Sequence, residues 1–256
     1  MLRKLVITRP LAQSLGLAQV LRDGGREVVI LPLLDILPLP DEAALQAVLA
    51  QLESFALVAF VSPNAIDAAF AQVATWPVSV PLAVMGEGSR RALARHGVTA
   101  GPYQITSPLD TQRTDSQTLL QALDLPRLQG QRVLIIRGDG GRELLADAMR
   151  DAGIDVQQVA AYRRVAPRLD AALRQRLTDL LAQDCDWIIT SSEALQVLMG
   201  FVQQVDAETG VGKIQHKNVF VPHRRIAETA VSLGFRYVFL TGSGDEGLLT
   251  ALQSRP

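Results

Sequence analysis

Seven short turns in this 256-residue chain carry the residue types that hold anions. They are Thr8-Arg9-Pro10, Ser62-Pro63-Asn64, Gly86-Glu87-Gly88-Ser89, Arg137-Gly138-Asp139-Gly140-Gly141, Ser191-Ser192-Glu193, Pro222-His223-Arg224 and Gly242-Ser243-Gly244-Asp245. Glycines and small hydroxyls let backbone N–H groups approach a ligand, and arginine offers a planar two-point grip on a carboxylate. Each turn follows a short apolar run. In parallel α/β sheets, ligands bind beyond the C-terminal strand ends, so Arg9, Ser62, Asn64, Gly86, Ser89, Arg137, Gly138, Ser191, Ser192 and His223 are candidate binding residues. Taken singly, Ser62, Ser191 and Ser192 are each a helix cap more often than a ligand contact. Their recurrence at equivalent places in two halves of the chain favours binding.

Other chemistry is not supported. Gly138-Asp139-Gly140 opens like a dinucleotide fingerprint, but Glu143 stands where the third glycine belongs. No phosphate-loop run G-x-x-x-x-G-K-[S/T] is present. His96, His216 and His223 lack metal-ligand spacing, and His96 precedes Gly97 as a C-terminal dipole partner would. Cys185 lies between Asp184 and Asp186, whose charges raise a thiol pKa and make it a poor nucleophile. The reading is a protein that needs no metal and no covalent nucleophile.

The elements that hold these turns repeat. Val133–Arg137 answers Leu5–Arg9, Met149–Gly153 answers Leu21–Gly25, and Asp170–Leu173 answers Glu42–Leu45, all 128 residues apart. Ser191–Leu195 then answers Ser62–Ile66 after one inserted residue. So long a period exceeds any solenoid unit and points to two lobes of one fold. β-branched runs alternating with amphipathic stretches predict α/β lobes with parallel sheets. Strands are expected near Leu5–Thr8, Val28–Leu31, Leu57–Val61, Leu82–Met85, Val98–Tyr103, Val133–Arg137, Val156–Ala160, Trp187–Thr190, Val219–Val221 and Tyr237–Leu240. Helices are expected over Arg142–Ala152, Asp170–Ala182 and Arg224–Leu233, with Gly25, Gly97, Gly153 and Gly234 as left-handed helix ends. Thr114-x-x-Gln117 and Ser243-x-x-Glu246 have capping-box spacing. Leu125–Gly130 has the composition of a loop.

Prolines 32, 38 and 40 make a stiff extended connector, answered by the segment 161–167. Two such connectors predict that residues 1–33 and 167–256 form one discontinuous flavodoxin-like lobe and 40–160 the other. Residues 34–39 and 161–166 would be linker strands acting as a hinge. The rival is two sequential domains divided near 128.

With 48% hydrophobic and 20% charged residues, the composition is that of a globular protein. No apolar run approaches the ~18 residues of a membrane span. Met1–Leu5 leads into a strand pattern without a signal-peptide core, and one cysteine suits a reducing cytoplasm. A formal charge of −1 argues against a nucleic-acid surface but leaves an anionic small ligand open.

Taken in order, Leu5–Pro10, Val61–Ala65, Gly86–Ser89, Arg137–Glu143, Ala161–Arg164 and Thr190–Ala194 resemble the uroporphyrinogen-III synthase family across nearly the whole chain. The resemblance implies two flavodoxin-like lobes joined by a two-stranded linker. It implies a cytoplasmic enzyme, a lyase of haem and sirohaem biosynthesis, that cyclises linear hydroxymethylbilane. Water is lost through an azafulvene, and ring D is inverted by way of a spiro intermediate, with no cofactor. It matches Tyr162 to the linker tyrosine that assists loss of the hydroxyl, a role to be set against simple hinge packing. Ser89 matches a position, usually threonine, that lines the cleft. Pro222-His223-Arg224-Arg225 stands where some members have a glycine-threonine turn, so His223 or Arg224 becomes the carboxylate partner there. A monomer is expected, and a transient contact with the upstream deaminase is left open. The readings from other classes are a non-catalytic two-lobe binding protein and a ligand sensor. Neither an export signal nor a DNA-binding segment supports them.

Overall fold

The computed structural model describes residues 3–110, 115–141 and 143–253. It divides into two compact units, Met1–Asp35 with Val165–Pro256, and Ile36–Arg164. The first unit opens with β1 (Lys4–Ile7), α1 (Leu11–Asp23) and β2 (Val28–Ile30). The chain then enters the second unit through β3 (Asp35–Leu37), α2 (Ala43–Leu49), β4 (Leu57–Phe60) and α3 (Pro63–Phe70). β5 (Leu82–Val84), α4 (Glu87–Arg95), β6 (Ile105–Thr106), α5 (Ser116–Ala122) and α6 (Leu125–Leu128) follow. β7 (Arg132–Gly138), α7 (Leu144–Asp151) and β8 (Asp155–Val165) complete that unit. The first unit resumes with α8 (Ala171–Ala182), β9 (Cys185–Ile188), α9 (Ser192–Val205) and α10 (Gly210–Gln215). It closes with β10 (Asn218–Val221), α11 (Arg224–Ser232), β11 (Tyr237–Leu240) and α12 (Gly244–Gln253).

The first unit's sheet has the order β2-β1-β9-β10-β11, paired in parallel throughout. Numbered within the unit this is 2-1-3-4-5, the flavodoxin-like order. The second sheet runs β3-β8-β7-β4-β5-β6. Its ladders from β8 through β6 are parallel. The 128-residue repeat equates β7 and β8 with β1 and β2, and the serine turn after β4 with the one after β9. The second sheet therefore reaches the same 2-1-3-4-5 order by a circularly permuted chain path, with β3 added at its edge. Both faces of each sheet are covered, which is why its strands read as apolar runs and not as alternating ones. Val58, Phe60, Leu134 and Ile136 point into one cluster with Trp76, while Leu57, Ala59, Val133 and Ile135 point into another.

Local signals placed most elements. Asp170 accepts from the Leu173 N–H and starts α8. Gly25, Gly97, Gly153 and Gly234 take positive φ where their helices end. The expected Thr114 box lies outside the described residues; α5 instead starts with a reciprocal box one residue on, between Asp115 and Thr118. Two expectations fail. Val98–Tyr103 is not a strand, because Gly101 at φ +119° ahead of Pro102 turns the chain, and the strand is Ile105–Thr106. Leu125–Leu128 is a short helix, because Asp124 accepts from the Arg127 N–H and proline is tolerated in a first turn. Residues 161–165 form the last part of β8, whose neighbour at the edge of the sheet is β3.

Cys185 is wholly buried and donates to the Leu180 carbonyl. Burial, more than the acidic neighbours, pushes its thiol pKa up. A disulfide reagent is therefore expected to leave native protein unmodified and to react at once after denaturation. Stoichiometric labelling of the native protein within the mixing time would contradict this packing.

Candidate active site

Because the ladders are parallel, the C-termini of the first unit's strands lie on one edge of its sheet, and those of β8, β7, β4, β5 and β6 on one edge of the other. In the 2-1-3-4-5 order, successive crossovers diverge between strands 1 and 3, opening a crevice for ligands. In the second unit that switch point falls between β7 and β4, and three expected residues meet there. Ser62 follows β4 in extended conformation, and its Oγ accepts from the Ala65 N–H at 3.1 Å, capping α3 ahead of Pro63. Gly138 ends β7. Tyr162 lies on β8, only 4% exposed, with its phenol oxygen 3.0 Å from Ser62 Oγ.

Tyr162 reaches this place through an irregular ladder. Arg137 pairs with Ala160 and Gly138 with Tyr162, so Ala161 is an extra residue on β8. Strict alternation would send Tyr162 to the face opposite Ala161. The bulge puts both in the cluster formed by Phe60, Ile136 and Val159. Gly138 makes the room, since a Cβ there would stand 3.0 Å from Tyr162 Cζ. The Asp139 N–H donates to the Tyr162 carbonyl at 2.8 Å and locks the register.

On the opposite face, Arg137 Nη1 donates to Glu143 and, at 2.7 Å, to Gln158 Oε1. Gln158 Nε2 donates to the other oxygen of Glu143, so guanidinium and amide grip one carboxylate at two points. The Gln158 hydrogen bond, then Arg137, hold the Glu143 pKa below the ordinary value. The 137–141 turn, Glu143 and Gln158 line an open concavity of about 240 Å³. That volume is smaller than the ~300–1,000 Å³ of a typical small-molecule site. Sequence reading missed Gln158, because a glutamine in a strand carries no motif. Glu143 stood out as a mismatch to a nucleotide fingerprint and as the end of the Arg137–Glu143 segment.

The remaining residues lie near strand ends within their own units. Asn64 sits in the first turn of α3, half-buried. Gly86 precedes α4, and Ser89 in its first turn is 3% exposed, with its N–H donating to the Gly86 carbonyl. In the first unit, Arg9 after β1 pairs with Asp245 at the start of α12. Ser191 caps α9 by accepting from Glu193 and Ala194 N–H groups. Thr229 spends its hydroxyl hydrogen on the Arg225 carbonyl at 2.9 Å, so Ser192 must be the donor in its 3.0 Å bond to Thr229. Ser192 thus ties α9 to α11. His223 precedes α11 without capping it through its side chain, and Arg224 is exposed and paired with Glu228. The repeat puts Leu34 and Pro10 where the second unit has Tyr162 and Gly138. The phenol–hydroxyl pair therefore has no counterpart in the first unit.

These features define a class: a duplicated, doubly wound α/β protein whose second unit carries a hydroxyl pair at its switch point. Residues 16–248 match the family model described as uroporphyrinogen-III synthase HemD. The uroporphyrinogen-III synthase of Salmonella typhimurium is 31% identical over 97% of this chain and 99% of its own length. That of Escherichia coli is 30% identical over the same shares. The chain belongs to the uroporphyrinogen-III synthase family and is an enzyme. Solved structures agree on the fold. The Helicobacter pylori uroporphyrinogen-III synthetase superposes with TM-score 0.61 at 14% identity, covering 99% of this chain and all of that one. A Thermus thermophilus uroporphyrinogen III synthase mutant gives 0.57 at 18%, over 98% of this chain and all of that one. Among the described residues no helix is long and apolar enough to cross a membrane.

Two outcomes are expected. Gly138→Ala keeps an allowed backbone but must push the Tyr162 ring away; activity should fall well beyond a stability loss of about 1–3 kcal/mol. Full activity in a folded Gly138→Ala protein would show that the ring's placement is immaterial. Glu143 has its folded pKa below the unfolded value of ~4.3, so its stabilisation is complete above that pH and lost as pH falls through the folded pKa. Urea melts from pH 6 down to pH 3 should therefore show a shallower acid loss in Glu143→Gln than in the wild type. Parallel curves would mean the Arg137–Gln158 grip adds nothing.

Proposed function

We propose that this chain cyclises linear hydroxymethylbilane to uroporphyrinogen III, losing water and inverting ring D. It would act as a hydro-lyase in haem and sirohaem biosynthesis. The observation that carries the reading is the Ser62–Tyr162 pair at the switch point of a chain that belongs to this family. The bilane carries eight carboxylates. In the first unit Arg9, Ser191, Ser192 and His223, and in the second Ser62, Asn64, Gly86, Ser89, Arg137 and Gly138, are of the types that suit an anionic ligand.

Loss of the hydroxyl gives an azafulvene, and the bilane also closes unaided to the uninverted isomer. Most of the catalytic task is therefore conformational: ring D must be held so that attack falls on its substituted carbon. The chemical remainder is a proton for the departing hydroxyl. The Tyr162 hydroxyl, a hydrogen-bond donor, can give it, either directly or through a neighbour. We infer a cytoplasmic monomer that needs neither metal nor cofactor, and leave open a transient contact with the upstream deaminase. The binding-protein and sensor readings are not favoured, because the family match runs through residues 16–248.

Purified protein given freshly generated hydroxymethylbilane, without metal or nucleotide, should form mainly the type III isomer. Chromatography of the oxidised products decides it. Type I alone from folded protein would overturn the assignment.

A further inference from the structure

We infer that Ser62, and not Tyr162, is the group that meets the substrate, donating the proton that leaves with the hydroxyl, while Tyr162 stands behind it and holds its hydrogen outward. The inference rests on the cyclisation reading above and assigns the order of the two hydroxyls within it.

Three observations set that order. First, Tyr162 is 4% exposed and packed in the Phe60–Ile136 cluster, whereas Ser62 is only half-buried at the mouth of the β4–α3 turn. Second, the pair has two hydroxyl hydrogens and one mutual hydrogen bond, so one hydrogen is left to give away. Among the described residues neither hydroxyl has another acceptor. Third, Ser62 Oγ already accepts from the Ala65 N–H, so only one lone pair remains to take the phenol's hydrogen. With Tyr162 donating inward to Ser62, every buried donor and acceptor is satisfied and the spare hydrogen sits on the more exposed oxygen. The opposite order leaves the spare hydrogen on the buried phenol, among apolar side chains, at the cost of an unsatisfied donor.

The step balances as a relay. The C–O bond of the hydroxymethyl group breaks and its electron pair goes to oxygen, which takes the Ser62 hydrogen and leaves as water. Ser62 takes the phenol's hydrogen, and the proton released from the pyrrole N–H on azafulvene formation returns to Ser62, which passes a hydrogen back to the phenol. No oxidant, reductant or further reactant enters.

The test compares four proteins by turnover and KM, with melting temperature as a control for the lost α3 cap. Ser62→Ala should lower kcat about 10²-fold, the low end of what a positioned acid contributes, with KM within about twofold. Ser62→Thr, which restores the hydroxyl, should recover kcat to within about threefold of wild type. Tyr162→Phe should lose less than Ser62→Ala, because Ser62 keeps its own hydrogen to give. Adding Tyr162→Phe to Ser62→Ala should change kcat no further, since the relay is already cut. A larger loss in Tyr162→Phe than in Ser62→Ala, or no rescue by threonine, would overturn the order. Type III product from the wild type together with either of those outcomes would sink this inference while leaving the proposed function standing.

Discussion

β4 and β7 pair in parallel from Leu57–Val133 to Phe60–Ile136, and both strands bury each face. That single ladder fixes where Ser62 and Gly138 lie, because the turns that follow two parallel partners emerge side by side. It also joins the two halves of the internal repeat: β4 comes from the first copy and β7 from the second. Remove the ladder and the second unit's sheet falls into two pieces with no switch point between them. An antiparallel pairing would have sent the two turns to opposite ends.

Within that frame the site depends on irregularity at one residue. Parallel sheets buried on both faces leave little freedom for a polar side chain, and an unbulged β8 would aim Tyr162 at the wrong cluster. The extra residue Ala161 re-aims it, and Gly138 leaves the ring a place to lie. The phenol then finds a hydroxyl partner, so its burial brings no lone unsatisfied oxygen. In the first unit the same positions hold Leu34 and Pro10. The duplicated scaffold thus keeps one copy apolar at this point and places a buried hydroxyl pair in the other.

The arginines follow a different rule. Arg9 and Arg137 occupy equivalent strand ends, and each is paired within its own unit, to Asp245 and to Glu143. A largely buried guanidinium needs such a partner, since an unpaired charge would be costly. Their presence at strand ends therefore reports on local neutralisation as much as on ligand binding. The α9 serines divide similarly: Ser191 serves backbone donors, while Ser192 bonds to another helix.

What the sequence alone determined was the periodic content. Apolar runs, capping residues such as Asp170, helix-ending glycines and the 128-residue repeat are local signals read within one turn or one strand. They sufficed for an α/β fold with two parallel sheets, because burial of each run follows from its own residues. Ser62, Arg137 and Gly138 were legible too, since turn chemistry is local. Gln158 was not, and neither was the turn at Gly101, which a β-branched run beside it disguised. Tertiary structure decided the permuted strand order, since pairing β7 with β4 joins residues 76 positions apart and no local energy reports it. It also decided the face of Tyr162. A bulge is a mismatch between two strands, so it exists only once both are paired, and the meeting of Tyr162 with Ser62 exists only with it.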